Sequence, residues 1–117
     1  LLMTDDAACG THCQEKLYTM RQLRLTQGKD VGRIERVWLI TDAATPAVDT
    51  VAPFAGTWLV RARASEVRTA LPAPRAATDH IYVIDPLGNL VLRYPRDADP
   101  RGMIKDLTRM LKTSRIG

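Results

Sequence analysis

The chain has 117 residues, of which 45% are hydrophobic and 26% are charged, and this is the composition of one globular domain rather than of a disordered segment. No window reaches the ~18 apolar residues that a membrane span requires. The net charge is +4, but the basic residues are scattered and not interleaved with aromatic residues, so binding of nucleic acid is not indicated. Because residues 1–4 already resemble a strand, we expect Leu1 not to be the biological start and the chain to be the soluble part of a longer one.

The first half of the chain predicts a strand, a helix and a second strand. Residues 1–4 form the first strand, and a helix follows over about residues 12–29, with Gly28 as its end. One side of that helix is apolar, and Glu15 and Lys16 lie on another side. The apolar side is predicted from residues that follow one another at intervals of four, three and three: Cys13, Leu17, Met20 and Leu23. The apolar run within residues 34–42 then predicts a strand buried on both faces, with Trp38 in the core.

The second half predicts three more strands and two helices. Residues 43–56 form a loop with one weak helical turn, residues 57–60 a short buried strand containing Trp58, and residues 64–71 a helix capped by Ser65. Residues 80–85 and 90–94 form a hairpin around a turn of Pro, Leu, Gly and Asn. The last helix begins with Asp99 as its N-cap and Pro100 as its first residue. Methionines on the helical stripes are predicted to pack in the core: Met20, Met103 and Met110.

This order of elements predicts an α/β, thioredoxin-like fold, with a central mixed β-sheet flanked by helices, as one domain over residues 1–117. The early β-α-β alternation requires parallel strands with a right-handed crossover, and the closing β-β-α unit adds antiparallel strands. In this fold, a dithiol between the first strand and the first helix lies at the positive end of the helix. Cys9 and Cys13 occupy that place.

The Cys9-Gly10-Thr11-His12-Cys13 motif favours redox or metal chemistry, although two inert core thiols remain an alternative. A helix N-terminus stabilises a thiolate, and the thiolate is the form that attacks disulfides and binds metals. The spacing allows either a disulfide or one soft ion held between two sulfurs. Three intervening residues, one more than in thioredoxin-type oxidoreductases, favour the metal. His12 is predicted to favour the dithiolate through its positive charge.

His80 is the candidate for a third ligand. Two thiolates and an imidazole make a trigonal site suited to copper(I). In a thioredoxin-like fold, the loop before the strand that begins at His80 lies against the dithiol, whereas the ring of His12 is expected to point away. Asp79 is predicted to orient the ring of His80 or to balance charge. The predicted metal ligands are therefore Cys9, Cys13 and His80.

The sequence resembles the Sco family of copper chaperones for cytochrome c oxidase assembly. The resemblance rests on the Cys-x-x-x-Cys motif at a helix start, on the Asp79-His80 pair before a strand, on the turn at residues 85–88, and on Asp42 after the second core strand. The family usually has proline after the second cysteine, where this chain has Gln14. The resemblance implies copper as the bound metal and Cys9, Cys13 and His80 as its ligands.

The resemblance also implies a biological setting and leaves three functions open. It implies a membrane-anchored domain on the periplasmic side of the inner membrane that delivers copper to the dinuclear centre of an oxidase subunit, or to another thiol or copper protein. The alternative is a thiol-disulfide oxidoreductase in which Cys9, as the more exposed sulfur, attacks and Cys13 resolves. The third is an interaction module with an inert dithiol.

Overall fold

The fold is a five-stranded mixed sheet with helices on both faces. It is described from a computed structural model over residues 1–114, and the last three residues of the predicted domain lie outside the described part. The strands are β1 (Leu2–Asp5), β2 (Arg36–Ile40), β3 (Thr57–Arg61), β4 (His80–Ile84) and β5 (Leu90–Pro95). The α-helices are α1 (Thr11–Leu25), α2 (Val48–Val51), α3 (Ala64–Ala70) and α4 (Pro100–Ser114).

The strand order β3-β2-β1-β4-β5 places β1 in the middle of the sheet. β1 runs parallel to β2, and β2 runs parallel to β3, whereas β4 is antiparallel to both of its neighbours, β1 and β5. The predicted α/β, thioredoxin-like arrangement with a mixed central sheet is thereby confirmed. Parallel strands end at the same edge of the sheet, so the loop after β1, which carries Cys9, lies at the edge where β2 also ends.

Two apolar clusters cover the two faces of the sheet. The larger one joins α1 and α4 to the sheet and includes Met3, Leu17, Met20, Trp38, Ile81 and Met103. The smaller one joins α3 to β4 through Val67, Leu71, Ala77 and Tyr82. The prediction that Trp38 and the three methionines pack in the core is confirmed, since Trp38, Met20 and Met103 are buried and Met110 packs against the larger cluster.

β3 is not the buried strand that its apolar sequence predicted. It lies at the edge of the sheet, Trp58 is 61% exposed, and Leu59 and Val60 are exposed as well. The Trp58 indole N–H donates to Oε2 of Glu35 over 3.0 Å, in a surface contact. The sequence of an apolar strand does not show whether the strand lies in the middle of the sheet or at its edge. The strand order decides which elements cover its side chains.

The helix ends differ from the predictions at two places and agree at a third. α1 ends at Leu25, before Gly28, which has φ +53° and begins a 3-10 turn, Gly28–Arg33. Ser65 is not a cap, because α3 begins at Ala64 and Arg63 occupies the N-cap position. The Asp99 carboxylate does accept the backbone N–H of Arg101, over 3.1 Å, which confirms Asp99 as the N-cap of α4.

A short hydrogen bond between Tyr94 and Asp106 connects β5 to α4. The phenol donates to Oδ2 of Asp106 over 2.6 Å, and desolvation together with this carboxylate raises the pKa of Tyr94. We expect Tyr94→Phe to lower the free energy of unfolding by about 1.5 kcal/mol at neutral pH, the usual contribution of a hydrogen bond to a charged group.

The same contact predicts a dependence of stability on alkaline pH. The folded state keeps the Tyr94 proton where the unfolded state loses it, so this stabilisation is complete below about pH 10 and disappears as the pH rises through the raised pKa. Urea unfolding of the Tyr94→Phe variant between pH 7 and 11 measures this, with Tyr18→Phe, an exposed position, as control. An equal alkaline loss of stability in parent and Tyr94→Phe would contradict the assignment.

Candidate dithiol and metal site

Cys9 and Cys13 form a disulfide at the start of α1. Their Cα atoms are 5.0 Å apart, and each residue is only 1% exposed. The spacing allowed either a disulfide or one soft ion held between the two sulfurs, and the structure shows the disulfide. The expectation that Cys9 is the more exposed sulfur is wrong, because the loop after β1 places Cys9, and the first turn of α1 places Cys13, in the larger apolar cluster.

The backbone around the motif is held in an unusual conformation. Cys9 has φ +46°, a left-handed conformation that residues with side chains adopt rarely and that concentrates at functional sites. The Gln14 side-chain amide donates to the carbonyl oxygen of Cys9 over 3.0 Å, and its backbone N–H donates to the carbonyl of Gly10 over 3.0 Å. A proline at position 14 would make neither bond. Gln14 therefore stabilises the backbone of the motif through contacts that proline could not make.

His80 lies at the first position of β4, next to the edge of the sheet that carries the motif. β4 pairs with β1 antiparallel at Leu2 and Tyr82, and continuing this register by two residues places His80 opposite Thr4. His80 is buried, and its Nδ1 atom has no hydrogen-bond partner among residues 1–114. Buried polar atoms are nearly always paired, so this free ring nitrogen needs an explanation.

Lys16 is a buried cation at this edge that the sequence analysis placed on the polar side of α1. Its Nζ donates to the carbonyl oxygen of Thr4 over 2.9 Å, to Oδ2 of Asp5 over 3.0 Å and to the carbonyl oxygen of Thr78 over 2.8 Å. Desolvation lowers the pKa of Lys16, and Asp5 opposes that shift. Position 16 is three residues after Cys13 and next to Leu17. The helical spacing could therefore have predicted that the side chain of Lys16 faces the core.

Lys16 thereby connects the three segments that surround the motif. Thr4 belongs to β1, Lys16 to α1, and Thr78 to the 3-10 turn Ala77–Asp79 that leads directly into His80. The backbone N–H of Ala7 also donates to Oδ1 of Asp42 over 3.2 Å, which joins the loop before Cys9 to the end of β2. These contacts fix the loop before His80 relative to the start of α1.

A cavity of about 620 Å³ opens beside α1 and brings several predicted residues together. His12, Glu15, Asp79 and His80 are among the residues that line it, whereas Cys9 and Cys13 are not. Nδ1 of His12 lies 3.7 Å from Oε2 of Glu15, and neither ring nitrogen of His12 has a hydrogen-bond partner within residues 1–114. Asp79 lies close enough to Lys16 to oppose the lowering of its pKa.

The disulfide form does not present the predicted three-ligand site. In the described part of the chain, no group of three His, Cys, Asp or Glu side chains is arranged to hold a metal ion. The two sulfurs are bonded to each other, so neither is a thiolate. His80 has a ring nitrogen without a partner in the described residues, and the cysteines provide thiolates only after reduction.

The fold and the position of the disulfide define a thioredoxin-like domain. The family model described as "Transmembrane-like, thioredoxin-like, C-terminal domain" matches residues 1–114. The chain belongs to this family. A search of curated proteins finds no match, and within residues 1–114 no helix combines the length and apolarity needed to cross a membrane.

Among solved structures, the chain is similar to ScoI of Bradyrhizobium japonicum with copper bound. The TM-score is 0.68 at 19% sequence identity, over 92% of this chain and 82% of ScoI. The similarity shows that the two chains share the thioredoxin-like fold that the sequence predicted.

Proposed function

We propose that this domain is a Sco-like dithiol protein that binds copper(I) when reduced. In this proposal the thiolates of Cys9 and Cys13 and the imidazole of His80 are the ligands, and copper is a cargo that the domain passes on. The observation that carries the proposal is the combination of a dithiol pair at the start of α1 with a buried His80 ring whose Nδ1 has no partner in the described residues.

Copper binding in this proposal begins with reduction of the disulfide. A dithiol reductant supplies the two electrons and two protons that convert the Cys9–Cys13 bond into two thiols and is itself oxidised to a disulfide, and both cysteine thiols lose their protons when they bind the metal. The free N–H groups in the first turn of α1 favour the thiolates. Lys16 keeps the turn before His80 against the start of the helix, through its bonds to the carbonyls of Thr4 and Thr78.

The proposed recipient and location follow the same resemblance. We propose the copper-carrying subunit of cytochrome c oxidase, or another thiol or copper protein, as the acceptor, and a periplasmic domain anchored to the membrane by a segment outside this sequence. The similarity to a copper-bound ScoI and the description of the family as transmembrane-like support this setting.

Thiol-disulfide exchange is the second candidate function. It is favoured by the closed Cys9–Cys13 disulfide and by the absence, within residues 1–114, of a ready three-ligand group. In this function the pair would accept two electrons from a substrate dithiol and leave that substrate oxidised, or run in the opposite direction. The two functions require the same cysteines and differ in their need for His80.

Copper stoichiometry of the reduced protein separates a copper carrier from a pure oxidoreductase. We expect about one copper(I) per chain after reduction, and none after blocking the thiols with N-ethylmaleimide or while the disulfide is intact, because two of the ligands are thiolates. Metal analysis after anaerobic gel filtration measures this. A value near zero for the reduced, unblocked protein would contradict copper binding and favour the exchange function.

A further inference from the structure

β3 presents an open edge with three consecutive apolar side chains. It is the first strand in the order β3-β2-β1-β4-β5, so within residues 1–114 no strand pairs with its outer side. Trp58, Leu59 and Val60 are 61%, 45% and 43% exposed. An edge strand of this kind is a template for pairing with another strand, because its outward backbone groups have no partner in a ladder and its side chains are apolar.

The opposite edge of the sheet carries features that oppose pairing, and β3 does not. β5 ends in Pro95 and contains Arg93, and its register with β4 is irregular. Proline, charged side chains and bulges are the usual means by which an edge strand is protected. β3 contains no proline, and its four residues before Arg61 are uncharged. Of the two edges, β3 is therefore the one suited to further pairing.

The backbone of β3 directs every second residue toward the open edge. The N–H of Ala62 donates to the carbonyl oxygen of Ile40 over 3.0 Å and continues the parallel pairing with β2. Successive residues of a strand direct their N–H and C=O groups to opposite sides, so Trp58 and Val60 also bond to β2. Three residues of β3 therefore offer both an N–H and a C=O to a further strand: Thr57, Leu59 and Arg61.

This outward set is complementary to itself in an antiparallel arrangement. A two-fold axis at Leu59 places Leu59 opposite Leu59 of a second copy and Thr57 opposite Arg61, so each outward residue meets an outward residue and exchanges two backbone hydrogen bonds with it. Trp58 then lies opposite Val60, at the position where cross-strand side chains approach most closely. One register therefore pairs the backbone groups and the apolar side chains at the same time.

The face of the sheet that carries Trp58 is open beside β3. Val60 pairs with Leu39 in the β2–β3 register, so their side chains share a face, and Trp58 shares it through the two-residue period of a strand. On this face α3 packs in the smaller cluster with Leu39. It leaves Trp58 and Val60 exposed. Two pairs of Trp58 with Val60 would therefore remove from water apolar surface that one chain alone leaves exposed.

Charge does not oppose this pairing. Arg61 meets the uncharged Thr57 of the second copy and not its own counterpart. Its Nη1 donates to the carbonyl oxygens of Asp42 and Ala44, each over 2.8 Å, which holds the guanidinium on its own chain. Like charges directly opposite each other weaken a strand pair, and this register contains none within β3.

We propose that this domain forms a dimer in which the β3 strands of two copies pair antiparallel about Leu59. The two five-stranded sheets then join into one continuous sheet. The two β5 strands remain at its outer edges, so association closes at two copies and does not continue into a filament. β2 separates β3 from β1, so the dithiol motif that follows β1 stays outside the contact. The dimer does not depend on the proposed copper function.

Sedimentation velocity of the domain between about 10 µM and about 1 mM tests the dimer, since a contact of one short strand per chain is small and weak. We expect the mass to rise with concentration from 13.0 kDa toward twice that value. Trp58→Lys should weaken association at least about tenfold, because it removes both pairs of tryptophan with valine. Val91→Lys, a change at an exposed apolar position of β5, should associate like the parent.

Mixing two variants tests the register. Trp58→Lys and Val60→Glu should each associate weakly alone, and an equimolar mixture should recover association, because the introduced lysine lies opposite the introduced glutamate. A mixture of Trp58→Lys with Trp58→Glu is the matched control and should not recover it, since these positions do not face each other. Recovery that is equal in both mixtures would overturn the register about Leu59.

Amide hydrogen exchange identifies the backbone contact without any substitution. Protection of the Leu59 and Arg61 amides should rise with concentration, whereas Trp58 and Val60, bonded to β2, should be protected throughout. A mass that stays at one chain up to about 1 mM, or a dimer in which Leu59 and Arg61 remain unprotected, would overturn the proposal. Protection of these two amides in a longer natural chain that stays monomeric would assign the edge to a segment outside this sequence and overturn the second copy as its partner.

Discussion

Replacing His80 by alanine is expected to weaken copper(I) binding by the reduced domain at least about 100-fold. Loss of an outer partner of a metal ligand already costs about 10–100-fold in affinity, and this change removes a proposed ligand itself. The buried ring nitrogen without a partner within residues 1–114 is the structural basis for the expectation. Competition with a chromophoric copper(I) chelator, under anaerobic conditions, measures the affinity.

The same variant should leave the chemistry of the dithiol nearly unchanged. Because His80 forms no part of the disulfide, the equilibrium of the Cys9–Cys13 pair with glutathione should match that of the parent. His12→Ala is the matched control, since His12 lines the same cavity and also has unpartnered ring nitrogens in the described chain. Parent-like copper affinity in His80→Ala, or an equal loss in His12→Ala, would contradict the assignment of His80 as the third ligand.

Lys16→Met is expected to destabilise the domain by about 3 kcal/mol. The change keeps most of the apolar stem but removes three hydrogen bonds, leaving the carbonyls of Thr4 and Thr78 and the carboxylate of Asp5 without this donor. Removing one member of a buried charged pair typically costs about 3–5 kcal/mol, and the partial exposure of Asp5 places the value near the lower end. Urea unfolding at neutral pH measures the loss.

Lys105→Met provides the comparison for this variant, because Lys105 is exposed on α4. It should change the free energy of unfolding by less than about 0.5 kcal/mol. A loss below about 1 kcal/mol in Lys16→Met would show that the three contacts contribute little. Lys16 also holds the turn before His80, so we expect the Lys16→Met variant, where it remains folded, to bind copper(I) about tenfold more weakly.

The place of Cys9 and Cys13 was predictable from the sequence because local pattern determines it. An apolar run followed by helical spacing through Leu17, Met20 and Leu23 fixes a strand-to-helix junction, and the cysteines stand there. The position of His80 at the beginning of β4 was predictable for the same reason. The ligand role of these residues is a proposal in both cases.

Burial of polar groups was not predictable in the same way. Lys16 was placed away from the apolar side of the first helix, and Arg36 was one of many scattered basic residues, yet both are buried, and each uses backbone carbonyls that other segments supply. Trp58 was predicted to lie in a buried strand but is exposed, and its strand, β3, has no neighbouring strand on one side within residues 1–114. A sequence pattern gives the face of a residue but not what packs against that face.

The order of the strands and helices, the mixed sheet and the junction that carries the dithiol were predictable from local patterns, since hydrophobic spacing and turn chemistry act over a few residues. Only the tertiary contacts account for the equal burial of both cysteines, for the bonds of Lys16 that bring the turn before His80 to the start of α1, and for the burial of Arg36. These features depend on the strand order and on the approach of distant segments, which the local pattern does not contain.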